Sequence, residues 1–184
     1  PNMTIMAPKS LEELRQMLYY SETFAGPLAI RYPRGGDDIK VSLAPLTSLT
    51  PGKFEVLKEG ADGYVYATGK MVSRAMILSE RLLEKGLRYG VVHGVFVKPV
   101  DKDLVTTHLS EGKKIITLED NMLHGGFGSM ILEAAMGHTH AGAIKCFGFQ
   151  DTFVPQGSVE KLYDVHGLGY ETLENEIMSF TGEK

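Results

Sequence analysis

Residues 113–136 run Lys-Lys-Ile-Ile-Thr-Leu-Glu-Asp-Asn-Met-Leu-His-Gly-Gly-Phe-Gly-Ser-Met-Ile-Leu-Glu-Ala-Ala-Met, and they read as one strand, one glycine turn and one helix. Ile115, Ile116 and Leu118 form a short apolar run with a β-branched bias, the pattern of a strand buried on both faces of a parallel sheet. Gly125, Gly126 and Gly128 then open the helix. Residues without a Cβ let the chain turn sharply and let the first helical turn lie close to the strand before it. Ile131, Leu132, Ala134, Ala135 and Met136 make the helix largely apolar, which predicts that neighbours cover it.

Such a helix start presents free N–H groups and the positive end of the helix dipole, so Gly-Gly-Phe-Gly-Ser can be read as an anion site. The spacing fits neither GxGxxG nor GxxxxGK[ST]. Glu119 and Asp120 at the strand end would also repel an anion. The turn is therefore taken as structural.

A chain of 184 residues can hold one domain with a real core, or one domain and a piece of another. Its 43% hydrophobic and 23% charged residues describe a globular α/β protein, and a net charge of −4 argues against a general nucleic-acid surface. There is no apolar run of about 18 residues, so no membrane span is expected, nor is a signal peptide. The single Cys146 cannot form an internal disulfide, which fits a reducing, cytoplasmic setting. Nothing near it in sequence would activate it as a nucleophile.

The chain begins with a short strand over 3–8. Ser10 and Glu13 have the spacing of a capping box, and Leu11, Leu14, Met17 and Leu18 follow at helical spacing. A second strand over 27–32 ends at Arg31-Tyr-Pro-Arg-Gly-Gly36. One β-α-β unit cannot bury a two-faced sheet, so residues 1–35 read as the tail of a domain whose beginning is absent. The segment to Gly52 lacks any period and reads as a linker. Strands are then expected at 54–58, at an edge, and at 63–69, 89–97, 113–118 and 143–149. Helices are expected over 71–85, from Asp101 to Gly112, and over 158–165 and 170–180. That alternation predicts an α/β fold, a mainly parallel sheet with helices on both faces.

Arg34 stands at the carboxyl end of a strand, where open α/β sheets place ligands, and Pro33 stiffens the backbone that aims it. Its planar fork suits phosphate. Two surface arginines pairing with carboxylates would give the same sequence, so both readings stand at this point. Among six histidines the one close pair is His138-Thr-His140, with no evident third metal ligand. His124 beside the glycines suits a capping or interface role better than acid–base work. Glu119 and Asp120 suit helix capping or hydrogen bonding better than catalysis, and the nine methionines suit core filling.

Met6-Ala-Pro8, Gly26-Pro-Leu-Ala-Ile-Arg-Tyr-Pro-Arg-Gly35, Phe96-Val-Lys-Pro-Val-Asp101, Leu118-Glu-Asp-Asn121, Gly125-Gly-Phe-Gly-Ser129 and Phe153-Val-Pro-Gln-Gly157 occur in this order. With them nearly the whole chain resembles the 1-deoxy-D-xylulose-5-phosphate synthase family of transketolase-like thiamine enzymes. The resemblance implies that residues 1–35 end a pyrimidine-binding (transketolase central) domain, 36–53 are a linker and 54–184 are a transketolase C-terminal domain. It implies a homodimer that joins pyruvate, with loss of CO2, to glyceraldehyde 3-phosphate, using thiamine diphosphate and Mg²⁺, in non-mevalonate isoprenoid synthesis. Arg34 matches the family arginine that holds the substrate phosphate, which favours its phosphate reading. The family's diphosphate motif, cofactor-activating glutamate and catalytic histidines have no counterpart in these residues. No catalytic, cofactor-binding or metal-binding residue is therefore assigned, and the 184 residues alone are expected to bind no cofactor and to be inactive without the missing N-terminal domains. Transketolase, a 2-oxoacid dehydrogenase β-subunit and a non-catalytic assembly or anion-binding module are the alternatives.

Overall fold

The computed structural model describes residues 2–37 and 41–182. Asp38, Ile39 and Lys40 of the expected linker lie outside them, as do Pro1, Glu183 and Lys184. Two sheets organise the chain. The larger has five strands: β3 (Glu55–Lys58), β4 (Gly63–Ala67), β5 (Tyr89–His93), β7 (Lys114–Met122) and β8 (Ile144–Phe149), in the order β3-β5-β4-β7-β8. Pairing is parallel throughout except at the edge, where β3 runs antiparallel to β5.

The pleat decides which side chains meet which helices. On β4, Val65 and Ala67 face a core built with α2 (Met71–Glu84), α5 (Val159–Val165) and α6 (Tyr170–Thr181). Tyr64 and Tyr66 face the other core, with α3 (Lys102–Ser110) and α4 (Phe127–Ala134). Both faces are thus covered by helices, and every residue of β4 and β5 is buried. The chain passes from β4 through α2 to β5, then returns across β4 to β7 and β8 by way of α3 and α4. The direction of winding therefore reverses between β4 and β7, and the carboxyl ends of those strands open onto the crevice where such sheets bind ligands.

The smaller sheet has the order β2-β1-β6, from β1 (Thr4–Met6), β2 (Leu28–Ile30) and β6 (Phe96–Lys98), with α1 (Leu11–Thr23) linking the first two. Here the structure departs from the sequence reading, which took 89–97 as one strand. The chain turns at Gly94, and β6 leaves the large sheet to pair antiparallel with β1. A Cβ at Gly94 would lie 2.5 Å from the Phe127 ring, so only glycine lets the backbone pass there. Val95 and Phe96 are then buried with Met6 and Met17 in a third core. Apolar burial, which no periodicity reports, draws the end of that strand across.

Two smaller differences follow from the same physics. β7 continues to Met122, four residues beyond the apolar run, because β8 keeps pairing with it. The apolar α4 is covered on one side only, leaving Leu132 and Met136 45% and 76% exposed.

Candidate functional site

The glycine turn explains itself through Glu119. This residue is wholly buried on β7, and its carboxylate oxygens accept the N–H groups of Phe127 and Gly128, each at 2.8 Å. A side-chain anion therefore occupies the amino end of α4, as the capping reading of Glu119 expected. A Cβ at Gly126 would come within 2.2 Å of that carboxylate, and one at Gly128 within 2.7 Å of the Thr117 hydroxyl, so the glycines admit the carboxylate and the strand beneath it. Burial pushes the Glu119 carboxyl above its ordinary range, against the opposing pull of the two N–H donors. The turn is structural.

Asp120, next on the same strand, is held by both units. Its carbonyl accepts a hydrogen bond from the Arg31 guanidinium, and its carboxylate lies 3.8 Å from the Lys70 ammonium. Lys70 is the N-cap of α2 and follows directly on the carboxyl end of β4, so this ion pair spans the β4–β7 crevice.

Beside the crevice lies a cavity of about 660 Å³. The small-sheet unit supplies Ser10, Leu11 and Leu14 at the start of α1 and residues 32–37 after β2. The large-sheet unit supplies Lys70, Ser73, Arg74 and Ile77 from α2, with Tyr163 and Tyr170. Arg34 is exposed and lines this cavity. The carboxylate of Asp37, on the same loop, accepts the Leu11 N–H at 2.8 Å and so engages the amino end of α1. Arg74 is buried between the rings of Tyr170 and Tyr163, its guanidinium carbon 4.1 and 4.7 Å from their centroids. Its Nε donates to the Leu168 carbonyl and its Nη1 to Glu160, both at 2.9 Å.

Under the cavity floor, a buried polar cluster ties the two sheets together. Glu13 of α1 accepts from the Lys9 ammonium at 2.8 Å and meets Nε2 of His93, at the end of β5, at 2.9 Å. Lys9 also reaches Glu55 of β3 at 2.8 Å. Lys9, Glu13 and His93 are nearly or wholly inaccessible. Burial pushes the Glu13 carboxyl up, but the His93 and Lys9 partners outweigh it and hold the group below its ordinary range.

Of the remaining histidines only His138 and His140 come together, the His140 N–H donating to Nδ1 of His138 at 3.2 Å. His108 stacks on Tyr64 with centroids 3.8 Å apart and meets the Tyr66 hydroxyl through Nδ1 at 2.8 Å. His138 meets the Ser110 hydroxyl at 3.1 Å, and His124 is exposed in the turn before α4. Among the described residues no three His, Cys, Asp or Glu side chains gather as metal ligands. None of their helices is long and apolar enough to cross a membrane.

Sequence reasoning missed Lys70, Ser73, Arg74 and the Glu13–His93 pair. The last two lie 80 positions apart, and only the fold joins them. The polar residues of α2 did carry a signal, a helical spacing offset from the apolar stripe that was used to predict the helix.

Residues 52–173, which carry the large sheet and the crevice between β4 and β7, match in sequence a family described as transketolase, C-terminal domain. The chain belongs to that family. In sequence it is similar to 1-deoxy-D-xylulose-5-phosphate synthase of Clostridium acetobutylicum, 42% identical over 98% of this chain and 29% of the relative. The synthase of Clostridium perfringens is 41% identical over 97% of the chain, again 29% of the relative. The chain thus spans less than a third of the length of these relatives. Among solved structures, a split-gene transketolase described as an inactive β4 tetramer matches with a TM-score of 0.88 and 24% identity, over all of this chain and 59% of that one. A Pichia stipitis transketolase matches with a TM-score of 0.71 and 19% identity, over 99% of this chain and 25% of that one. These structural likenesses concern the fold.

Proposed function

We propose that the chain is the C-terminal part of a thiamine diphosphate-dependent transferase that condenses pyruvate, with loss of CO2, and glyceraldehyde 3-phosphate to 1-deoxy-D-xylulose 5-phosphate. The observation that carries this reading is the identity of about 40% to synthases of that name over nearly the whole chain, across both sheets and not only the matched domain. In this reading residues 1–35 close a pyrimidine-binding domain, 36–53 connect, and 54–184 form the C-terminal domain. The polypeptide is cytoplasmic and homodimeric, and the diphosphate and Mg²⁺ of the cofactor belong to its other domains. The chemistry supplied by this chain is the positioning of substrate.

Arg34 is the residue proposed for that task. Its exposure, its place on a loop stiffened by Pro33 and its position on the cavity wall leave the guanidinium free to receive an incoming phosphate. Loss of such a charge-assisted partner costs on the order of 2–5 kcal/mol, roughly 30-fold or more in the affected constant. In the full-length polypeptide, Arg34→Ala should lower kcat/KM for glyceraldehyde 3-phosphate by that factor and leave KM for pyruvate nearly unchanged, with Arg34→Lys intermediate. Unphosphorylated glyceraldehyde is the control. Equal losses with both aldehydes would assign Arg34 to the fold instead.

A further inference from the structure

The loop that carries Arg34 is held by side chains on either side of it. Before Arg34, the Arg31 guanidinium donates to the Asp120 carbonyl on β7, and after it the carboxylate of Asp37 accepts the Leu11 N–H of α1 at 2.8 Å. The backbone between these anchors has few conformations of its own. Pro33 fixes its own φ and disfavours helical backbone at Tyr32. Gly35 takes φ +113°, which L side chains rarely adopt, and a Cβ there would meet nothing within 4 Å. That glycine serves a turn of the backbone rather than a close neighbour, and the turn carries the chain on to Asp37 and α1.

The first N–H groups of a helix have no partner within it and lie at the positive end of its dipole, so a carboxylate is held well there. α1 already has a cap of its own. The Ser10 hydroxyl accepts the Glu13 N–H at 3.2 Å, and Glu12 and Glu13 add negative charge to the first turn. What Asp37 adds, from 26 positions away, is an attachment of the loop. Asp37 and Arg34 both line the cavity of about 660 Å³, and Arg34 is exposed. An arginine on a loose loop loses rotamer and backbone freedom together when it grips a ligand, whereas on a fastened loop the backbone part is already lost.

We propose that Asp37 is a positioning residue for Arg34. Its bond to the amino end of α1 holds the loop so that the guanidinium stays on the cavity wall and meets the phosphate of the aldehyde substrate. This rests on the role given to Arg34 above and deepens it: Asp37 touches no reacting atom and acts through Arg34. Its charge works the other way, because a carboxylate on the same wall repels a phosphate. Anchoring and repulsion predict opposite outcomes when the side chain is removed, and removing the charge alone separates them.

The test is a double-mutant cycle in the full-length polypeptide, supplied with thiamine diphosphate and Mg²⁺, using Asp37→Ala, Arg34→Ala and the two together, with glyceraldehyde 3-phosphate and unphosphorylated glyceraldehyde as acceptors. Asp37→Ala should lower kcat/KM for the phosphorylated aldehyde roughly three- to tenfold, the scale of one hydrogen bond, and chiefly through KM. KM for pyruvate and kcat/KM for the unphosphorylated aldehyde should stay within about twofold. In the Arg34→Ala background the same substitution should cost less than about twofold, since no guanidinium is left to position. Asp37→Asn keeps an oxygen that can accept the Leu11 N–H and loses the charge, so it should match or better the wild-type KM for glyceraldehyde 3-phosphate. If Arg34→Ala costs nothing, the role of Arg34 fails and that of Asp37 with it. If Arg34→Ala is costly but Asp37→Ala is harmless, or costs the same in both backgrounds or with both aldehydes, Arg34 keeps its role and positioning by Asp37 is overturned. A gain from both Asp37→Ala and Asp37→Asn would overturn it too, since the carboxylate would then only repel substrate.

Discussion

At Glu119 and Glu13 the same fold buries two carboxylates with opposite consequences for pH. Glu119 sits among backbone donors but in a desolvated pocket, and burial raises its ionisation above the ordinary 4.5. Its contribution is therefore present below the unfolded value and is lost as pH rises through the folded one. Glu13 is ionised against Lys9 and His93, its folded value lies below 4.5, and its contribution is present above the unfolded value and is lost as pH falls through the folded one. Glu13→Gln at neutral pH leaves the buried Lys9 with less compensation and should destabilise by about 3–5 kcal/mol. Denaturant melts of both proteins across pH should find that gap narrowing below about pH 4.5, as wild type loses the same ion pair. A gap that stays constant to pH 3 would mean that Glu13 is not ionised in the folded protein. Neither role was equally legible beforehand. Glu119 announced itself by standing just ahead of three glycines, whereas Glu13 looked like an ordinary member of a capping box, and its partner His93 lies on a distant strand.

The elements were easier to read than their assignments to sheets. Runs such as Tyr64 to Ala67 and Ile115 to Leu118 gave strands because burial on two faces leaves few polar positions, and Asp101, read as the start of a helix, caps α3. What periodicity does not encode is which sheet a strand joins. β6 contributes three residues to the small sheet, and Phe96 is wholly buried there with Met6 and Met17. Phe96→Ala should cost about 3–5 kcal/mol locally. Hydrogen exchange should then report lost protection in β1, β2 and α1, while β4, β5 and β7, which pair on both sides within the large sheet, keep theirs. Uniform loss across both sheets would show that they unfold as one unit.

For the molecule as a whole, the order of strands and helices was sufficient to predict an α/β fold with helices on both faces, and the family match over 52–173 and the winding of the large sheet agree with it. The cavity was not predictable, because its walls come from residues 8–14, 32–37, 70–77 and 159–170, brought together only by the seating of one sheet beside the other. We propose that this chain belongs to a polypeptide that decarboxylates pyruvate rather than one that moves a two-carbon unit between sugar phosphates. The identity to the synthases supports the first, while the structural likeness to transketolases extends to the fold alone. Supplying the full-length polypeptide with thiamine diphosphate and Mg²⁺, and following CO2 release and product by mass spectrometry, separates them. Pyruvate with glyceraldehyde 3-phosphate should give one CO2 for each 1-deoxy-D-xylulose 5-phosphate formed, and ketose phosphate donors should give no transfer. Two-carbon transfer from a ketose phosphate, with no CO2 from pyruvate, would contradict the account.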